Sequence, residues 1–298
     1  MTLQPELIAD LQLNCGESPL WNPAQQRLYW VDSGNDQIYS WQRDTCEQSS
    51  VAASVPIAAL ALHEDGGLVL AGSQGLFYWR ENQPIHSLSI QGKPIMGIND
   101  LIVDKQGRLF GGQEAYQENQ PYDPGYIYRI NTDGTAQIID EGFHIANGMG
   151  FSPDNTTFYV IDSIPRLVYA YDYQAVTGHI ANRRTLIRLP KEEGLPDGMT
   201  VDREGFLWIA RWFGSGLSRF DPDGRLERNV QLPVAQPTSV TFGGPDWNEL
   251  YVTTAATHWE TSLAPPQHNF KTARGGGIYC LSTVGVGIAE NLTRLCIA

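Results

Sequence analysis

The sequence predicts an all-β, six-bladed β-propeller. Three observations carry that expectation. A strand–turn–strand unit recurs six times along the 298 residues. Its period is roughly 40 to 50 residues, the length of a four-stranded blade. Long apolar patterns at the helical period are scarce. The clearest copy runs from Leu195-Pro196-Asp197-Gly198-Met199-Thr200-Val201, turns at Asp202-Arg203-Glu204-Gly205, and continues as Phe206-Leu207-Trp208-Ile209-Ala210.

In chain order, the second strand of each copy is Leu28-Tyr29-Trp30, Leu68-Val69-Leu70, Leu109-Phe110-Gly111, Phe158-Tyr159-Val160, Leu207-Trp208-Ile209 and Leu250-Tyr251-Val252. Each follows a polar turn such as Asp104-Lys105-Gln106-Gly107-Arg108 or Ser152-Pro153-Asp154-Asn155. A third, alternating strand is readable at Gln37–Trp41, Gly75–Trp79, Gly125–Arg129, Leu167–Tyr171 and Gly277–Cys280. That alternation is expected to bury one face of each blade against its neighbour. Asp133-Gly134 and Asp223-Gly224 read as hairpin turns. A closed ring leaves no internal boundary, so residues 1–298 are expected to form a single domain. Leu7 to Leu13 is expected to complete the last blade beside Ile288 to Cys296. Two insertions, Ala115 to Pro124 and Thr257 to Arg274, exceed ordinary hairpin loops and are candidates for function.

The net charge of -13 argues against nucleic acid or an anionic membrane as partner, since both call for surplus Lys and Arg. Cys15, Cys46, Cys280 and Cys296 contain no C-x-x-C pair. The N-terminus has neither a basic start nor an apolar run, and no stretch is apolar enough to span a bilayer. The expectation is a cytoplasmic chain with reduced cysteines, a monomer or weak homo-oligomer.

Function is legible in one register of the repeat. Four residues before Trp21, Leu62, Val103, Phe151, Val201 and Phe242 stand Glu17, Ala58, Asn99, Asn147, Asp197 and Thr238. Innermost strands line a propeller's central channel, so these six are expected to ring one of its mouths. Asn and Asp also favour strand-end turns, which is the structural alternative. Two carboxylates and an amide oxygen make an all-oxygen set suited to a hard divalent cation such as Ca²⁺, Mg²⁺ or Mn²⁺. No His or Cys enters the ring, which disfavours structural zinc.

Four segments, Gly16-Glu17-Ser18-Pro19-Leu20-Trp21, Asn99-Asp100, Asn147-Gly148 with Ser152-Pro153-Asp154, and Pro196-Asp197-Gly198, each open one blade, in this order. Together they resemble the regucalcin and gluconolactonase family of six-bladed sugar lactonases, over nearly the whole chain. The resemblance implies one divalent cation held by Glu17, Asn147 and Asp197. Calcium is the first expectation, and zinc, manganese, magnesium and iron occur in relatives. It also implies Asn99 near the reacting water or substrate and Asp197 as general base. Relatives often carry an arginine two residues before the Asn-Asp pair; this chain has Gly97 there, which leaves the sugar open.

Hydrolysing a lactone needs a polarised carbonyl and an activated water. The expected substrate is a small sugar lactone, opened to its aldonic acid. Glu114, Tyr116 and Glu118 follow the second strand of the Asn99 blade and can reach over the mouth, with a solvated loop as the alternative. Trp212 is a candidate to stack on a sugar ring, with packing between blades as the alternative. The candidate substrate contacts are therefore Asn99, Glu114, Glu118 and Trp212. His144 reads as a support for Asn147 or as a plain loop histidine, and His258-Trp259-Glu260 with Arg274 as a lid. Ser18 and Ser163 lie in no G-x-S-x-G elbow. Two alternatives stay open: a phosphotriesterase-like or aryl-ester hydrolase on the same metal site, and a calcium- or ligand-binding propeller without catalysis.

Overall fold

Six antiparallel sheets of four strands each make up the computed structural model, which describes residues 4–91, 95–282 and 285–297. The inner strands are Gly16–Asn22, Ala59–Leu62, Ile98–Val103, Ala146–Phe151, Leu195–Val201 and Pro237–Gly243. Each packs beside the next and the last packs beside the first, so the ring closes. The expected six-bladed propeller is the observed fold. Among the described residues the only helical turn is a short 3₁₀ segment, Lys191–Glu193.

The core lies between the blades rather than at the axis. In the first blade Leu28 and Trp30 face the sixth, alongside Trp21 and Tyr251, while Tyr29 and Val31 face the second. Trp21 stacks on Tyr251 with ring centroids 5.7 Å apart. The second strands therefore bury both faces, which corrects the one-faced expectation. An interior blade has neighbours on both sides, so its middle strands read as nearly continuous apolar runs. The third strands fall where expected, extended by up to three residues, and one more, Gly216–Phe220, supplies the fifth blade. Gly134 and Gly224 adopt positive φ of 82° and 81° in the two Asp-Gly turns.

Ring closure differs from expectation in its partner. Glu6–Ala9 does complete the sixth blade, but it pairs with Ile278–Ser282. The segment expected beside it instead crosses the opposite end of the channel. There Thr293 N–H donates to Leu62 O at 2.8 Å and Thr293 O accepts from Glu64 N–H at 3.0 Å. Asn291 Nδ2 donates to Val103 O at 2.9 Å, and Thr293 Oγ1 to Gly107 O at 3.0 Å. Backbone groups at the floor of two blades are thus satisfied by one passing segment.

In an antiparallel blade the start of the inner strand and the end of the second strand share one mouth. The connection that follows the second strand lies there too. Both insertions are such connections, in the third and sixth blades. They stand on opposite sides of the ring, at the mouth where the inner strands begin.

Candidate active site

Glu17, Asn99, Asn147 and Asp197, from four different blades, line one cavity of about 310 Å³ at that mouth. Ala58 lines it as well, and so do the predicted contacts Glu114 and Trp212. Thr238 does not: its hydroxyl is buried and donates to Gly16 O at 2.5 Å. Glu118 is not among the lining residues either. Its carboxylate accepts from Trp259 Nε1 at 3.2 Å and Thr261 Oγ1 at 2.9 Å, joining the two insertions across the mouth.

Local backbone geometry aims these side chains. The ladder to the second strand shifts register at Glu17–Leu20, Ile98–Asp100, Asn147–Met149, Pro196–Met199 and Pro237–Val240. A bulge breaks strict alternation and redirects one side chain. Here it recurs at the ring position in five blades, whereas the blade with Ala58 has no shift. The glycines of the Asn-Gly and Asp-Gly pairs serve close approach. A Cβ on Gly148 would sit 2.5 Å from Met199 N, and one on Gly198 would sit 2.1 Å from Ser239 Oγ. Each inner strand touches the next at these points, which brings the donors of neighbouring blades within reach of one another.

A second device holds the strand starts. Asp32 accepts from Asn14 N–H at 3.0 Å and Cys15 N–H at 2.9 Å. Asp162 accepts from His144 N–H at 3.1 Å and Ile145 N–H at 3.2 Å. The residues after these aspartates, Ser33 and Ser163, line the cavity. Sequence reasoning missed both aspartates, although the repeated Asp-Ser after the second strand signals them. It also missed Cys15, Ile145, Ile164 and Thr257 as wall residues, whereas Trp259, read as part of a lid, does line the cavity. His144 is a loop histidine: its Nδ1 lies 3.2 Å from Asp162 and its ring stacks on Tyr122 at 4.4 Å.

The electrostatics are those of buried carboxyl groups gathered close together. Asp197 is only 6% exposed. Burial raises its carboxyl well above the ordinary range, and Asp100 and Glu114 add to that against an opposing hydrogen bond from Asn147. Burial likewise raises Glu17, with Asp197 and Asp100 adding. Asn147 Nδ2 donates to Asp197 Oδ1 at 2.5 Å and to Ser163 Oγ at 3.3 Å. The Cys15 thiol, also pushed up by burial, donates to Glu17 Oε1 at 3.8 Å. The ion pairs of the described residues lie elsewhere, as in Arg108–Asp104 and Arg219–Asp202, both at 2.6 Å.

Buried carboxylates without a cationic partner are costly, and a dication removes that cost. Among the described residues no three His, Cys, Asp or Glu side chains gather as a metal cluster. The set here is two carboxylates and an amide, the oxygen chemistry of a hard dication, so the residues fit such an ion. For the Asn147 oxygen to face it, the amide must turn, because Oδ1 now accepts from Gly148 N–H at 3.0 Å.

Fold and site together define a six-bladed propeller with an acidic, oxygen-donor cavity at one mouth of its channel. The chain belongs to the SMP-30/Gluconolactonase/LRE-like family, whose profile matches residues 15–256. It is 34% identical over 286 residues to the pentonolactonase XacC of Haloferax volcanii, covering 95% of this chain and 96% of that protein. It is 35% identical over 298 residues to regucalcin of Xenopus laevis, covering 97% of each. Among solved structures, a luciferin-regenerating enzyme superposes with a TM-score of 0.86 at 26% identity, over 98% of this chain and 100% of that one. A regucalcin of Agrobacterium tumefaciens, described as a calcium-binding protein, superposes with a TM-score of 0.86 at 25% identity, over 99% of each chain. No helix of the described residues is long and apolar enough to cross a membrane.

Proposed function

We propose that this chain is a lactonase that hydrolyses a small sugar lactone to its aldonic acid. The observation that carries the reading is the convergence of Glu17, Asn99, Asn147 and Asp197 on one cavity. The pentonolactonase of H. volcanii, similar over nearly its whole length, supports the same class of reaction. Glu17, Asn147 and Asp197 are the residues that would hold a divalent cation, with calcium the first candidate for an all-oxygen set. When bound, such an ion supplies Lewis-acid polarisation of the lactone carbonyl.

The chain's own groups do the rest. Asp197 takes a proton from the attacking water at its carboxylate and is the general base. Without the ion, Asn147 Nδ2 donates to Asp197 and holds that carboxylate, and the turned amide that faces the ion would hand that task to it. Asn99, which lines the cavity and donates to Ala146 O at 3.4 Å, presents its amide oxygen to the substrate or the water. Glu114 accepts from sugar hydroxyls. Trp212, packed edge-to-face on Trp259 at 6.3 Å, offers a ring to the sugar's apolar face. Glu118 reaches substrate only by leaving Trp259 and Thr261.

The test is pH-stat titration of a panel of aldonolactones, with the protein chelated and then reloaded with single divalent ions. Lactone opening that stops on chelation and returns on reloading is the expected result. Failure to open any lactone with every ion tried would overturn the proposal.

A further inference from the structure

A second cavity, of about 130 Å³, lies in the channel between the ring of oxygen donors and the segment that crosses its far end. Neighbouring residues of one strand serve the two cavities: Glu17 and Asn99 line the upper, Ser18 and Asp100 the lower. Residues 288–291 of the crossing segment belong to the lower lining. The segment is anchored on both sides of that stretch. Gly287 N–H donates to Trp247 O at 2.7 Å, and Val286 O accepts from Arg203 N–H at 2.8 Å. Beyond it, Thr293 N–H donates to Leu62 O at 2.8 Å and Arg294 N–H to Gly107 O at 3.1 Å. Between these anchors the backbone of residues 288–292 makes no hydrogen bond to another backbone group among the described residues. A span of that kind is held by its side chains and opens at low cost. Asn291 Nδ2 donates to Val103 O at 2.9 Å, and Glu290 faces inward, where Thr241 Oγ1 donates to its Oε1 at 3.4 Å.

We infer that residues 288–292 are a shutter over the closed end of the channel, shut while Asp100 and Glu290 share a proton and loosened once both are ionised. Neither lactone turnover nor a bound ion is needed for it. Asp100, Glu290 and Lys105 are the titratable side chains of the lower lining, and Lys105 is exposed. The fourth and fifth blades bring only the hydroxyls of Ser152 and Thr200 to it. From above, Glu17 and Asp197 repel the Asp100 charge. Around the segment, Arg294 is tied to Lys105 O at 3.2 Å, and Asp202 is paired with Arg219. Burial raises the Glu290 carboxyl. Burial, with Glu290 adding, pushes that of Asp100 up to about 7. Acids that hold a proton more tightly in the shut state stabilise that state at low pH. The contribution is lost as pH rises through the raised value, near 7 for Asp100. Two like charges in one partly shielded cavity repel enough to shift a local equilibrium by about tenfold or more. Loosening gives water a second way into the channel, directly beneath the ring.

So short a span cannot lift without opening an anchor, so the amides of Gly287, Thr293 and Arg294 report on it. The test is hydrogen exchange of the full chain from about pH 5 to pH 9, corrected for the intrinsic pH dependence of exchange. In the wild type the protection of these three amides is expected to fall by at least about tenfold across the range, while the second strands of the blades keep theirs. In Glu290→Gln it is expected to stay level within about twofold, since one of the two charges is gone. Asp100→Asn removes the other charge, is expected to level the curve in the same way, and decides the matter if Glu290→Gln does not fold. Protection that does not fall in the wild type, or falls equally in wild type and variant, overturns the shutter.

Discussion

Asn147 Nδ2 donates to Asp197 Oδ1 at 2.5 Å, tying the inner strand of the fourth blade to that of the fifth. The two residues are fifty positions apart in the chain, and their strands approach so closely that Gly148 admits no side chain. The contact partly offsets the burial of an acid with no cationic partner. A bound dication would take over that task.

Asp197→Ala removes the proposed ligand and the proposed base together. Lactone turnover is expected to fall by at least about a hundredfold, and dication binding should weaken in parallel. Asp197→Asn keeps the shape and should show the same loss without unfolding. Calorimetry with calcium, alongside the lactone assay, checks both; turnover near wild type in either variant would contradict the assignment.

Asp100 makes stability depend on pH. Burial, with Glu290 adding, pushes its carboxyl up to about 7. An acid that holds its proton more tightly folded than unfolded stabilises the protein at low pH. That contribution is lost as pH rises from its ordinary pKa of about 4 through the folded value near 7. The chelated wild-type protein should therefore lose stability from about pH 4 to pH 7 relative to Asp100→Asn. Thermal unfolding of both across that range gives the difference curve, and a flat difference would refute the expectation.

Glu118 links the two insertions through Trp259 and Thr261. Hydrogen bonds of this exposed kind contribute roughly 1 kcal/mol each. Thr261→Val with Trp259→Phe deletes both donors and keeps a β-branched side chain and an aromatic ring at the two positions. Hydrogen exchange of residues 115–124 and 257–274 should accelerate several-fold while the blades keep their protection. Unchanged exchange in both insertions would show that the link does not hold them.

Leu13 anchors the junction of the sixth and first blades. It is 1% exposed, and its backbone bonds to Gly276 O and to Ala256 N–H, both at 3.1 Å. Leu13→Ala is expected to cost about 2–5 kcal/mol in urea unfolding, because the site is fixed on both sides and cannot collapse. A loss below about 1 kcal/mol would mean that ring closure does not depend on this contact.

Much of the site was readable because a propeller repeats its geometry. Once the second strand was recognised six times, the register of Val201 carried over to Trp21, Phe151 and the rest. Glu17, Asn99, Asn147 and Asp197 then fell on one ring. Thr238 escaped that logic: register set its place, but a buried hydrogen bond to Gly16 O set its role. Glu118 escaped it because insertions have no repeat to constrain them. The floor segment escaped it too, since a chain that pairs with no blade edge over its length carries no strand periodicity.

The sequence by itself determined the number of blades, the closing role of the N-terminal strand and the ring register shared by Glu17, Asn99, Asn147 and Asp197. These follow from periodicity and residue type, which are local properties. Tertiary structure alone decided that Asn147 meets Asp197, that Glu118 meets Trp259 across the mouth, and that Glu17, Glu114 and Asp197 share one cavity. These are distances between residues far apart in the chain, and they exist only once packing between the blades has set the curvature of the ring.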